Sequence, residues 1–132
     1  MQDYFLIKRK MVKTEPIIAV KDVRKSSHFY QQLLVCKSEH GGSTFEILTS
    51  NGQVVLCLHQ WGEHEHPTML APTENNGNGL ILFFRVDALQ TIFENAQAMQ
   101  AAIEKEIHYN PNSLQNQFTL RDLDGYYLII SE

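Results

Sequence analysis

A chain of 132 residues, 43% hydrophobic and 20% charged, is the size of one globular domain of roughly 100 to 200 residues. Its formal net charge of -4 and isoelectric point near 5.8 offer no broad basic face for phosphates, which argues against nucleic acid as a partner. No apolar run approaches the roughly 20 residues that span a bilayer, and Met1 to Lys10 contains no long apolar stretch after a basic segment, so the expectation is a cytoplasmic protein with no membrane partner.

In chain order, residues 1–14 stand apart as an N-terminal extension. Within it, Tyr4-Phe5-Leu6-Ile7 suits an edge strand or a partner contact, and Lys8-Arg9-Lys10 a solvated basic knot. Ile17-Ile18-Ala19-Val20 then reads as a strand, with Asp22 placed to cap a helix from Val23 to Leu34. The carboxylate of Asp22 can accept from the unpaired amides of the first turn and meets the positive end of the helix dipole. Val23, Ser27, Tyr30, Leu33 and Leu34 recur at helical spacing and predict the buried stripe. Thr44 to Thr49 and Val54 to Trp61 read as strands, followed by a linker over 62–79.

The pattern then repeats. Leu80 to Asp87 predicts a strand running into a helix from Ala88 to Ile103, capped by Asp87, with Leu89, Ile92, Phe93, Ala96, Met99 and Ile103 on one face. Gln117 to Asp122 and Tyr126 to Ile130 follow as strands, joined by the turn Asp122-Leu123-Asp124-Gly125. Two copies of one βαββ(β) unit, a first module over 15–61 and a second over 80–132, make a single α+β domain. Val54 to Leu58 and Leu80 to Phe84 are apolar on both faces, so helices cover one side and a core, pocket or partner covers the other.

Val20-Lys21-Asp22-Val23, the Phe29-Tyr30 pair with Leu33-Leu34 a turn later, the repeat at Val86-Asp87 and the terminal Asp122-Leu123-Asp124-Gly125-Tyr126 together resemble the vicinal oxygen chelate superfamily. That group includes glyoxalase I, extradiol dioxygenases and the bleomycin resistance proteins. Two positions depart from its pattern: Val35 stands where a glycine usually follows the first helix, and Leu123 where the turn usually has proline. The resemblance implies two βαβββ modules whose curled mixed sheets enclose a cavity, commonly completed in a homodimer. Metal-dependent members hold a divalent ion there with side chains from the first, fourth, fifth and eighth strands, and the ion polarises vicinal oxygens of the substrate.

Counting from the shared landmarks, those four positions fall on Glu15, Leu56, Ile81 and Ile129. One carboxylate and three aliphatic side chains cannot hold a catalytic ion, because such sites draw about three protein ligands. No metal and no cofactor are therefore expected. Residues two apart on a strand share a face, so the same counting points Glu15, Ile17, Ala19, Leu56, Leu58, Gln60, Ile81, Phe83, Arg85, Tyr127, Ile129 and Ser131 inward, with Trp61 beside the cleft. Such an apolar cavity with a few polar groups suits a small organic ligand, and Glu15 and Arg85 would either read charged groups or pair with each other. The alternative is a metal-dependent lyase or isomerase of glyoxalase type that uses zinc or nickel at a displaced site of Glu15 with His59, His64, His66 or His108.

The histidines do not have favourable spacing for that alternative. His64 and His66 lie two apart in what Gly62 and Pro67 mark as a loop, and His59 points to the helix side if Leu56 points inward. His28 and His40 read as surface residues. Cys36 and Cys57 are too few and too unpatterned for a disulfide framework or a thiol-metal motif. Asn75-Asn76-Gly77-Asn78-Gly79 precedes a strand instead of opening a helix, so it is not a phosphate loop. It ends a linker long enough to act as a lid, with Trp61, Met69 and Leu70 as its closing apolar residues.

Overall fold

The computed structural model describes residues 11–132, so the expectations for residues 4–10 lie outside the described residues. The first module contains β1 (Ile17–Val20), α1 (Val23–Leu34), β2 (Lys37–Ser38), β3 (Phe45–Ser50) and β4 (Gln53–Gln60). After a 3-10 turn at Pro67–Met69, the second contains β5 (Leu82–Arg85), α2 (Leu89–Ala98), β6 (Ala102–Asn110), β7 (Gln115–Arg121) and β8 (Tyr127–Ser131). Each module forms a four-stranded mixed sheet, in the orders β1-β4-β3-β2 and β5-β8-β7-β6. In each the first strand pairs in parallel with the last and the other neighbours run antiparallel, so the fold is the duplicated α+β arrangement. Among the described residues no helix is long and apolar enough to cross a membrane.

The first helix starts as its residues dictate. Asp22 takes an extended conformation and its Oδ1 accepts from the Lys25 amide at 3.0 Å. It stops at Val35, which sits in the left-handed region at φ 57° while its N–H donates to the Gln31 carbonyl at 2.9 Å. That conformation explains why a glycine would suit this position. The second helix differs from the sequence reading at both ends. Ala88, not Asp87, occupies the cap and makes no side-chain bond, and the chain leaves the helix at Met99 with Gln100 at φ 56°. Ile103 therefore belongs to β6, where it still packs against the core.

Each helix packs on one face of its own sheet and the two helices meet each other, with Asn95 Nδ2 donating to the Leu33 carbonyl at 3.2 Å. One apolar cluster joins Val20, Tyr30, Leu33, Leu56 and Leu58 of the first module to Phe93, Phe118, Leu128 and Ile130 of the second. The polar tie between modules is the turn before β8. Asp122 Oδ2 accepts from the Tyr30 hydroxyl at 2.5 Å, and Oδ1 accepts from the amides of Asp124 and Tyr126 at 2.9 Å each. Tyr126 donates its hydroxyl to the Ala19 carbonyl, while Asp124 accepts from the Lys21 amide and the Ser26 hydroxyl. Burial pushes the Asp122 carboxyl up, and the three hydrogen bonds it accepts draw it partly back. Burial, with Asp122 next, also raises the Tyr30 hydroxyl well above its ordinary value. Gly77 of the linker lies against this turn, where a Cβ would come 2.9 Å from the Tyr126 ring.

Two stability measurements follow from these contacts. Replacing Val35 by glycine releases a left-handed β-branched residue, a strain of about 1–2 kcal/mol, against an unfolded-state entropy cost of roughly 0.5–1 kcal/mol. Thermal melting of Val35→Gly is therefore expected to shift upward by roughly 2–4 °C. Tyr30→Phe leaves a buried carboxylate oxygen without its donor and is expected to cost about 1–3 kcal/mol in urea unfolding.

Candidate functional site

The faces of the first sheet are set by pairing. β1 lies beside β4 with Ile17 opposite Cys57, Ile18 opposite Leu58 and Ala19 opposite His59, and β3 sets Phe45 opposite His59 and Ile47 opposite Cys57. Ile18, Val20, Leu48, Leu56 and Leu58 belong to the helix-side core, with Leu56 and Leu58 fully buried. The open face therefore carries Ile17, Ala19, Phe45, Ile47, Cys57 and His59.

This overturns one strand of the sequence reading. Leu56, Leu58 and Gln60 do not face a cavity; the two leucines fill the core under α1, and Gln60 donates its side-chain amide to the Lys21 carbonyl at 2.7 Å. A slip of one residue exchanges the faces of a strand, and the true register turns His59 and Cys57 outward from the helix. Trp61 follows β4 half-buried, its amide donating to the Val20 carbonyl. On the second sheet Phe83 pairs with Ile129 and Arg85 with Ser131, alternating with the core residues Leu82, Leu128 and Ile130. Phe83, Arg85, Tyr127 and Ile129 thus share the face away from α2, and exposed Ile81 precedes the strand. Arg85 stacks on Phe83 and donates to the main-chain oxygen of Glu132, and among the described residues no ion pair joins it to Glu15.

On the open face of the first sheet lies a pocket of about 310 Å³. Ile17, Phe45 and His59 form its floor; His64, His66, Pro67, Thr68 and Met69 of the linker form its other wall. The linker is held there by its own main chain, with Gly62 donating to the Met69 carbonyl at 2.7 Å and Met69 to the His66 carbonyl at 2.9 Å. No residue of the second sheet lines this pocket. The grouping of His59 with His64 and His66 was visible in the sequence only as local density; the strand face that makes it a pocket was not.

His59 is 2% exposed. Its Nδ1 stands 2.7 Å from the Gln60 carbonyl. A carbonyl only accepts, so Nδ1 carries the hydrogen, and in the neutral ring Nε2 is a bare lone pair. That Nε2 is buried without any hydrogen-bond partner among the described residues. The rings of His64 and His66 flank it, with centroids 5.2 and 5.1 Å from that of His59, and Phe45 stands edge-on at 6.3 Å. His108, by contrast, is committed on both sides, to the Glu106 carbonyl at 2.8 Å and to the Gln117 amide at 3.5 Å.

The polar neighbours are structural. Buried Glu46, on the helix side, accepts from Ser27, Ser38 and the amides of His40, Gly41 and Ile47, and so moulds the β2–β3 turn that leads into Phe45. Burial alone would raise its carboxyl, but the bonds from Gly41, Ser38, Ile47 and His40 hold it below the ordinary 4.5. Burial, then the Glu15 and Glu46 carboxylates, raise the Cys57 thiol, and burial pushes Cys36 to about 11. Neither cysteine is then a thiolate at neutral pH, so neither serves as nucleophile or soft ligand.

The residues do not fit the ion held by the metal-dependent proteins whose motifs this chain resembles. Ile81 and Ile129 carry no lone pair, and Leu56 lies in the core. As the side chains stand, among the described residues no group of three His, Cys, Asp or Glu is arranged to hold a metal. A wider groove of about 840 Å³ lies between linker residues 72–80 and the Asp124–Tyr127 turn, and two of its charged residues, Arg121 and Asp124, are engaged in the fold. Arg121 pairs with Glu104 at 2.8 Å and stacks on Tyr127, and Asp124 holds α1.

The stability contributed by Glu46 has a defined pH window. A depressed folded pKa means the contribution is fully present above the unfolded value and is lost as pH falls through the folded one. Glu46→Gln is expected to lower stability at neutral pH, with the gap to the parent protein closing as urea unfolding is repeated toward pH 3.

No family model matches the chain, and no curated protein matches it. Solved structures do. An integron cassette protein from the mobile metagenome of V. cholerae is 22% identical, with 93% of this chain and 96% of that one covered and a TM-score of 0.69. A protein of unknown function from Agrobacterium tumefaciens str. C58 is 20% identical over 94% and 95%, with a TM-score of 0.76. The lactoylglutathione lyase from Agrobacterium tumefaciens is 15% identical over 94% and 96%, with a TM-score of 0.69. At these identities the likeness establishes the fold alone, and that fold is glyoxalase-like: two βαβββ modules, each with its own mixed sheet.

Proposed function

We propose that this protein binds a small organic molecule in an apolar cavity without a catalytic metal, in the manner of the bleomycin resistance branch of the glyoxalase-like proteins. The observation that carries the reading is the pocket on the first sheet, where Ile17, Phe45, Pro67 and Met69 supply apolar area around a single buried polar atom of His59. Its volume of about 310 Å³ lies at the small end of the roughly 300–1,000 Å³ typical of ligand sites. Among the described residues its lining offers imidazoles, one hydroxyl and apolar groups but no carboxylate or thiol, which equips it to hold a molecule more than to transform it.

The same reading includes a homodimer. Phe83 is 45% exposed, Ile81 56% and Ile17 46%, apolar surface on open sheet faces that a second copy would cover. In that assembly Glu15, Trp61, Ile81, Phe83, Arg85, Tyr127 and Ile129 complete the cavity or its rim.

A thermal-shift panel of neutral aromatic compounds tests the proposal. At least one compound is expected to raise the melting temperature of the parent protein and to lose that effect in Ile17→Glu, which charges the pocket wall outside the core. A panel without any shift, or shifts that survive Ile17→Glu, would overturn it. Stoichiometric zinc or nickel in protein purified without chelators, lost when His59 is replaced, would put the glyoxalase-type lyase or isomerase in its place.

A further inference from the structure

We infer that His59 Nε2 is the recognition atom of this pocket, and that the ligand is an uncharged aromatic molecule presenting one hydrogen-bond donor, a ring hydroxyl or ring N–H, to it. The inference rests on the binding reading above and adds the chemical class. An unpartnered acceptor this deeply buried is costly, about 1–3 kcal/mol, and native proteins rarely leave one without a reason. Here the tautomer is already chosen. The bond from Nδ1–H to the Gln60 carbonyl at 2.7 Å fixes the ring's orientation and leaves Nε2 as an acceptor.

The surroundings select the rest of the ligand. Apart from the imidazoles, no ionisable side chain among the described residues lines the pocket, so a charged molecule would give up its hydration for no counter-charge there. Phe45 and His64 stand nearly perpendicular to the His59 ring, at 78° and 79°, and His66 at 63°. Edge-on ring contacts of this kind are favourable, so an aromatic ligand takes the place of a displaced imidazole against His59 at little loss. A single orphaned acceptor calls for a single donor.

Access is through the linker. His64 and His66 are exposed residues whose rings close over His59, and His64 and Glu65 both hold left-handed backbone, at φ 62° and 56°. Such conformations persist only where the surrounding structure holds them, and they cluster at ligand clamps. Turning the two exposed rings aside admits the ligand to Nε2 without disturbing the core residues on the other face of β4.

The matched probes 2-naphthol and 2-methoxynaphthalene have the same ring system and differ in the donor. Calorimetric titration of the parent protein is expected to show 2-naphthol binding about ten-fold or more tightly, since a site built around a hydrogen bond rejects the analogue that lacks it. His59→Phe, which keeps a ring and removes the acceptor, is expected to weaken 2-naphthol to the level of the methyl ether. Should that variant fail to fold, long-range 15N–1H spectra of the parent protein supply the second measurement: an Nδ1–H tautomer for His59 whose Nε2 resonance moves on adding 2-naphthol and not the ether. Equal affinity for the two probes overturns the assignment of His59 and leaves the pocket reading standing. Failure of both to bind at millimolar concentration overturns both. Zinc or nickel that displaces 2-naphthol and is lost in His66→Ala overturns it in favour of a metal as the occupant of Nε2.

Discussion

The structure depends on one buried polar junction, the Asp122 carboxylate held between the Tyr30 hydroxyl and the amides of its own turn. A carboxylate away from water is tolerable only when its lone pairs are met, and here one donor comes from α1 while two come from the chain leading into β8. The modules are thereby joined at an angle that a purely apolar core would leave loosely specified. Asp124 extends the junction by accepting from Lys21 and Ser26, so the second module helps to cap the first module's helix. Tyr126 completes it on β1, its hydroxyl pushed up to about 12 by burial and the nearby Asp122 and Asp124 carboxylates while donating to Ala19.

That junction lies on the helix side, and its effect on the pocket is indirect. With α1 and β1 held, the parallel pairing of β1 and β4 decides which residues of β4 face the core. Leu56 and Leu58 are taken up there, and His59 is delivered to the opposite face beside Phe45. The linker then lays His64 and His66 over it. A buried anchor, a parallel register and a strained loop thus converge on one imidazole nitrogen.

Much of the fold was legible because its signals are local or repeat. The Asp22 cap, the stripe Val23, Ser27, Tyr30 and Leu33, and the duplicated strand-helix order rest on short-range spacing. The motifs that carried the family resemblance, Phe29-Tyr30 and Asp122 to Tyr126, prove to be the two sides of the junction. The second helix was overextended to Ile103 because its apolar spacing continues across the break at Gln100 into β6, where Ile103 fills the same core from a strand. The site was less legible. In β4 the run Val54 to Leu58 is apolar on both faces, so alternation gives no parity, and counting from Trp61 placed Leu56 inward where the register puts it in the core.

By itself the amino-acid sequence determined the class of fold, the duplication and the first helix with its cap, since each follows from side-chain chemistry and spacing within a few residues. Only the tertiary structure decided which face of β4 is open, that the linker histidines close over His59, and which of its ring nitrogens carries the hydrogen. Those outcomes depend on contacts between segments far apart in the chain, and a strand that is apolar on both sides reveals its orientation only when its neighbours are in place.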